Sequence, residues 1–342
     1  MKDARLQDYL RPIAMTDAAR PESALDLAGG PCWFDRVEVL SRTVPPRIMA
    51  VADLAEADRL RLSAARPDFG SLVLDRPRIM GILNITPDSF SDGGLFLRPD
   101  AAVMQGRLMA AGAEIIDIGG ESTRPGAVEV SVDEEITRTA PVIRALRDGG
   151  LDLPISIDTR KAGVARAALE AGASWVNDVT ALQFDPDMAA LVAGKSVPVI
   201  LMHSIATPAT MQDDPRYADV LLDVYDALAA RVAEAEAAGV RRENIAIDPG
   251  IGFGKTLTHN LALLRRLSLF HNLGLPVLLG ASRKRFIGTI GAEAEAARRM
   301  PGSLAVALWG LAQGVQMIRV HDVAETRQAL SLWQATSKGE AL

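Results

Sequence analysis

One cysteine, Cys32, stands in a chain of 342 residues, so no disulfide can close within it. That usage fits a reducing compartment, and the chain is read as cytoplasmic. Histidine is nearly as scarce, with four in all and none in an HxxH or HExxH spacing. This argues against a zinc site. No apolar run approaches membrane length, and the opening stretch "MKDARLQDYLRPIAMTDAARPE" has no apolar core of a leader. No membrane span or leader is therefore expected. Positive charge is not in excess either: 37 Lys and Arg stand against 43 Asp and Glu, a net charge of −6. There is no electrostatic case for nucleic acid, and any small anion must be held by local groups.

About half of the residues are apolar, enough for a substantial core. From Arg78 onward short apolar runs alternate with longer Ala/Leu-rich amphipathic stretches. The runs are "RIMGILNIT", "EIIDIGG", "PISIDT", "SWVNDV", "PVILMH", "IAIDPG", "PVLLGAS" and "QMIRVHD". Each is apolar on both faces, as parallel strands covered by helices must be. Helix starts are signalled by Ser131 with Glu134, Asp185-Pro186, Asp214-Pro215, and Asp322 with Glu325. Eight strand–helix units predict an α/β fold, a (β/α)8 barrel over residues 76–342, since such barrels typically run to about 250 residues. Residues 1–75 do not share the repeat. "WFDRVEVLSR" and "RIMAVADL" read as short strands and "LAEADRLRLSAA" as a helix. The segment is read as an N-terminal extension packed on the barrel, rather than a dimer or regulatory element, because nothing in it has motif spacing.

In such barrels the chemistry lies at the C-terminal strand ends. Those ends carry Asn84, Asp117, Asp158, Asn177, His203, Asp248, Ser282 with Lys284, and Arg319 with His321. One polar strand end is an ordinary handover to a loop. A polar end on nearly every strand predicts convergence around one mouth. Carboxylates mixed with amides suit the edge of a flat heterocycle: a carboxylate accepts two donors from an amino-pyrimidinone, and an Asn both donates and accepts. Lys284 can donate to a ring carbonyl, and Arg319 can stack its guanidinium on a ring face. His203 follows an apolar run and is read as a hydrogen-bonded core histidine. "NITPDSFSDGG" (Asn84 to Gly94) and "GGESTRPGA" (Gly119 to Ala127) offer hydroxyls and Gly-framed backbone amides, though neither is a Walker loop. Arg124, Arg319 and His321 are candidates to hold a polyphosphate, with a hard cation such as Mg²⁺ sharing its oxygens and Asn84 as a neutral oxygen ligand.

Taken in order, "GILNITPDSFSDGG", "AEIIDIGGESTRPGA", "ISIDTRK", "WVNDV", "DPGIGFGK", "GASRKRFIG" and "RVHDV" resemble dihydropteroate synthase of folate biosynthesis, over about residues 76–335. The resemblance implies a (β/α)8 enzyme, a homodimer and the sulfonamide target. It implies condensation of 7,8-dihydropterin-6-ylmethyl diphosphate with 4-aminobenzoate, giving 7,8-dihydropteroate and diphosphate with Mg²⁺. By the same resemblance Asp117, Asp158, Asn177, Met202, Asp248, Lys284 and Arg319 bind the pterin. Asn84, Arg124, Arg319 and His321 meet the diphosphate, with Asn84 also on the metal. Phe90, Thr123, Pro125, Phe253, Ser282 and Lys284 surround aminobenzoate, and catalysis falls to Arg124, Asp158, Lys284 and Arg319. The Asn84–Gly94 loop then reads as a lid assembled by substrate. An SN1-like route is expected, because diphosphate leaves well once neutralised and the electron-rich ring supports a cation. The alternative is a pterin-binding methyltransferase module that acts with a corrinoid protein. Such a module shares the ring-reading strand ends but does not need "SRK" or "ESTRPG". The segment after "LMH", with Ser204 and Ile205, departs from the family's usual Gly and basic or amide residues.

Overall fold

Strands that are apolar on both faces need a layer on each side, and the chain supplies both. The computed structural model describes residues 8–86, 99–122, 127–205 and 215–339. The extension holds β1 (Tyr9–Pro12), β2 (Leu25–Asp26), β3 (Trp33–Phe34), β4 (Arg36–Leu40), β5 (Arg47–Ala50) and α1 (Glu56–Ser63). The barrel strands are β6 (Arg78–Asn84), β7 (Ile115–Gly119), β8 (Ile155–Asp158), β9 (Trp175–Asp178), β10 (Val199–Met202), β11 (Ile245–Asp248), β12 (Leu278–Leu279) and β13 (Met317–Val320). Their helices are α2 (Pro99–Ala110), α3 (Val132–Asp148), α4 (Ala162–Glu170), α5 (Met188–Lys195), α6 (Val220–Ala237), α7 (Leu257–Arg265), α8 (Arg285–Ile290), α9 (Met300–Ala312) and α10 (Val323–Lys338). All eight runs read from the sequence are strands. They pair in parallel in the order β11-β10-β9-β8-β7-β6-β13-β12, and a bridge between Ile247 and Val277 joins the two ends. This is a (β/α)8 barrel. Among the described residues no helix is long and apolar enough to cross a membrane.

Side-chain alternation divides the core in two. Ile116, Ile118, Ile155, Ile157, Leu201, Ile247 and Ile318 face outward and pack with the helices. Met80, Ile115, Trp175, Ile200, Ala246, Leu278 and Met317 face inward and form an apolar floor. One pleat further along, about 6–7 Å higher at the usual rise of a strand, stand Asp117, Asn177, Met202, Asp248 and Arg319. The strand period of two therefore turns an apolar floor into a polar mouth.

Phe69, Leu72 and Leu74 of the extension join that floor, with the Phe69 ring edge-on to Trp175 at 4.7 Å. The extension has a small core of its own, Leu10, Leu27, Phe34, Val37, Val39, Val51, Leu54 and Leu62. It is also fastened to the outer layer: Glu38 pairs with Arg266 at 2.9 Å, the Ser268 hydroxyl donates to the Pro12 carbonyl at 2.6 Å, and Tyr9 packs edge-on to Tyr225.

Three helix starts differ from expectation. The helix after Asp185-Pro186 begins at Met188, because the Asp185 carboxylate is taken by the amides of Ala162 and Asp187. The helix after Pro215 begins at Val220, where the Asp219 carboxylate accepts from Leu221 and Leu222. Asp322 does precede α10, but its carboxylate pairs with Arg283 instead of capping. Ser131 caps α3 as expected, accepting from the Glu134 amide.

Candidate active site

Arg319 occupies the centre of the mouth. Its Nε donates to Asp117 Oδ2 at 2.6 Å and its Nη2 to Asp158 Oδ2 at 2.7 Å, and Asn177 Nδ2 donates to the same Asp117 oxygen at 3.1 Å. Burial opposes its charge, but the two carboxylates hold the guanidinium above its ordinary pKa. The other oxygens, Asp117 Oδ1 and Asp158 Oδ1, are buried with no hydrogen-bond partner among the described residues. Orphaned buried acceptors are rare in folded proteins and mark places where an outside donor is expected. Burial pushes the Asp158 carboxyl up to about 7, against Arg319 and aided by the nearby Asp117.

Asp248 completes the carboxylate set. Burial raises its pKa, opposed by the Gly250 amide, which donates to Oδ1 at 2.7 Å, and by Lys284, Lys255 and Arg319. A Cβ on Gly280 would stand 3.2 Å from Asp248 Oδ2, so the neighbouring strand keeps a bare backbone there. Val179, Met202 and Phe253 form one buried apolar patch. The Lys284 ammonium lies 3.9 Å above the centre of the Phe253 ring, a favourable placement for a cation. Burial and Arg319 pull its pKa down to about 8.

The "SRK" turn explains how Ser282 and Lys284 both serve the mouth. Arg283 between them is left-handed (φ 58°), a conformation costing a non-glycine residue about 1–2 kcal/mol. It is held there by Asp322, which pairs with its guanidinium, and by the Ser303 hydroxyl, which accepts from its amide at 2.8 Å. Ser282 Oγ is then bonded to the His321 ring Nδ1 at 3.0 Å and accepts from the His321 amide at 3.2 Å. Arg283 was not singled out in the sequence.

Asn84 ends β6 beside Gly119. A Cβ on that glycine would meet both the Asp158 side chain at 3.5 Å and Asn84 Oδ1 at 3.6 Å, so Asn84 stands next to the carboxylate set. Among the described residues no group of three or more His, Cys, Asp or Glu side chains converges as a metal site. A hard cation here would have to take most of its ligands from substrate and water, with Asn84 as the protein oxygen. Phe90, Thr123, Arg124 and Pro125, and with them the lid reading, lie outside the described residues.

His203 is buried, and its Nδ1 is 3.0 Å from Lys255 Nζ; burial and Lys255 press its pKa down to about 3. It is a bonded core histidine. Its lysine partner was not singled out in the sequence. Behind the loop after β7, Glu121 binds Arg160 and Lys161, and Lys161 also binds Glu135 at 2.8 Å.

The barrel and its mouth thus define a class, an α/β barrel whose mouth gathers three carboxylates, an amide and two cations. The family model described as Pterin binding enzyme matches residues 80–321. The Escherichia coli K12 dihydropteroate synthase is 46% identical over 267 residues, covering 78% of this chain and 94% of that one. Among solved structures, the Xanthomonas albilineans dihydropteroate synthase in complex with 7,8-dihydropteroate is 45% identical, with a TM-score of 0.71, covering 78% of this chain and 95% of that one. The Yersinia pestis dihydropteroate synthase with a sulfonamide drug is 44% identical, with a TM-score of 0.74 and coverage of 78% and 96%. The chain belongs to the dihydropteroate synthase family.

Proposed function

We propose that this chain condenses 7,8-dihydropterin-6-ylmethyl diphosphate with 4-aminobenzoate, releasing diphosphate and 7,8-dihydropteroate. The observation that carries this reading is the pair of orphaned, buried acceptors on Asp117 and Asp158, facing the same mouth as Asp248 and Lys284. An amino-pyrimidinone edge brings several N–H donors and one carbonyl, which is the complement of that set. The product bound to the Xanthomonas relative supports the same substrates.

The pterin lies against Met202, with Asp117, Asp158, Asn177 and Asp248 on its polar edges and Lys284 on its carbonyl. Arg319 and His321, with Arg124, take the diphosphate, and Asn84 would be the protein oxygen that holds Mg²⁺. When bound, the ion supplies positive charge that offsets the charge gathering on diphosphate. The methylene C–O bond breaks, and its electron pair leaves with diphosphate. The ring spreads the resulting cation, and the buried carboxylates favour that positive charge. The aniline lone pair then forms the C–N bond, and the ammonium proton passes to solvent or diphosphate. A neutral aniline needs no strong base, so the residues contribute positioning and preorganised charge. Phe253, Ser282 and Lys284, with Phe90, Thr123 and Pro125, enclose the aryl amine.

The working form is a cytoplasmic homodimer. The dimer is supported by an exposed apolar face on α7 and α9: Leu257, Leu261 and Trp309 are more than a third exposed, and the Trp309 indole N–H is tied to the Leu264 carbonyl at 2.7 Å. The test of the reaction is direct. Purified protein is mixed with the pterin diphosphate, 4-aminobenzoate and Mg²⁺, and the products are read by mass. Dihydropteroate and diphosphate in equal amounts are expected; release of diphosphate without dihydropteroate would overturn the reading.

A further inference from the structure

The loop after β11, "DPGIGFGK", contributes Asp248 and Phe253 to the mouth, yet its last residue has no part in the reaction described above. Lys255 is buried, only 3% exposed. Its Nζ lies 3.0 Å from His203 Nδ1, 2.9 Å from the Phe253 carbonyl and 3.3 Å from the His203 carbonyl. The two carbonyls can only accept, and with the His203 proton on Nε2 its Nδ1 accepts as well, so all three match the three donors of an ammonium. All three acceptors are themselves uncharged, so the formal negative charge nearest in effect is Asp248, which raises the Lys255 pKa while burial and Lys284 lower it to about 7. A buried ammonium without a carboxylate partner is costly, and such groups are kept where a charge is used.

The loop around it is fixed at each turn. Gly250, Gly252 and Gly254 are all left-handed, at φ 68°, 84° and 59°. A Cβ on Gly250 would collide with the His203 carbonyl. The Gly252 amide donates to Asn260 at 2.7 Å, and Tyr217 donates to the Gly254 carbonyl at 2.8 Å. The His203 amide donates to the Asp248 carbonyl at 3.0 Å. Lys255 reaches from the loop's far end back to His203, just past β10, and to the Phe253 carbonyl.

We propose that Lys255 is a positioning residue for ring binding: its buried ammonium, held by His203 and the Phe253 carbonyl, locks the Asp248–Phe253 loop to the chain just past β10 and adds a positive charge to the surroundings of Asp248. The proposal rests on the reading of Asp248 as a pterin ligand. The charged groups acting on Asp248 are Lys284 before α8, Arg319 on β13 and Lys255 in the loop that follows it; those acting on Lys255 are Asp248 and Lys284, with His203 just after β10 held neutral. Removing Lys255 leaves Asp248 with one fewer positive neighbour, so it takes a proton at higher pH.

The test is calorimetric titration with 6-hydroxymethylpterin across pH, on the full chain and on Lys255→Met and Lys255→Arg. Lys255→Met is expected to weaken binding about tenfold at neutral pH and to move the acid limb of the affinity profile up by about one unit. Lys255→Arg, which keeps the charge, returns the limb toward its original position. A merely structural lysine would lower the melting temperature without moving the limb, and an unmoved limb overturns the proposal. If Lys255→Met does not fold, nitrogen NMR of the unaltered protein decides: His203 must be neutral with the proton on Nε2, and a proton on Nδ1 overturns the proposal. Failure of the unaltered chain to bind the pterin would instead overturn the functional reading.

Discussion

At the residue scale the mouth rests on opposed charges at short range. Arg319 spans two buried carboxylates, so Arg319→Met leaves both without their cation. Breaking a buried pair costs about 3–5 kcal/mol, and the partial exposure of Arg319 sets the lower end of that range. The expected outcome, read by denaturant melting, is a destabilised but folded protein that no longer turns over. The pH dependence has two signs. Asp158 is raised from 3.8 to about 7, so the native state binds its proton more tightly than the unfolded chain does. Its contribution makes stability fall as pH rises between those values. His271, buried with Nε2 on the Gln313 carbonyl at 3.0 Å, is lowered from 6.5 to about 3 by burial and Arg66. Its contribution makes stability fall as pH drops from 6.5 toward 3. Melting curves from pH 3 to 7 are expected to lose part of the first slope in Asp158→Asn, Asp248 keeping the rest, and part of the second in His271→Gln, His203 keeping the rest. A profile unchanged by either substitution would contradict these assignments.

At the element scale the floor of the barrel is shared. Phe69, Leu72 and Leu74 come from the extension and pack among first residues of the strands. Phe69→Ala is expected to cost about 3–5 kcal/mol, as large-to-small changes in a core do. The measurement is chemical unfolding together with turnover: a lower midpoint with unchanged kcat and KM fits a floor, whereas lost turnover at unchanged stability would contradict it. Removal of residues 1–75 uncovers the same floor and the outer side at Tyr225, Arg266 and Ser268, and poorer solubility is expected. The eight strands, two to seven residues long, were legible because short apolar-rich runs read the same way locally as they fold. The helix start after Asp185 was less so, since that carboxylate accepts from the Ala162 amide, which only the tertiary structure brings near. β1 and β2 were missed because "YLRP" and "LD" carry too little pattern to stand out.

For the whole molecule, the legible part of the candidate site was the part carried on strands. Alternation in "IIDIG", "ISID", "IAID" and "IRVH" fixed which residues face inward, so Asp117, Asp158, Asp248 and Arg319 were readable as a converging set. What alternation cannot give is partner choice: that Arg319 spans two of those carboxylates, that Ser282 is bound to His321, and that Lys255 backs His203. Those contacts join residues 39 to 202 positions apart. The apolar face of α7 and α9 belongs to this scale too. Trp309→Asp is expected to yield monomers in analytical ultracentrifugation where the unaltered chain sediments as a dimer; a monomeric unaltered chain would contradict the dimer.

The central claim is that one polar layer, standing one pleat above the apolar floor, reads a single flat ring. Calorimetry of 6-hydroxymethylpterin on the unaltered chain and on Asp248→Asn tests it most directly. Hydrogen bonds to charged groups contribute about 1.5–3 kcal/mol each, so the account predicts one pterin per chain and a loss of at least about tenfold in the variant at unchanged melting temperature. Equal affinity in the two proteins would contradict it.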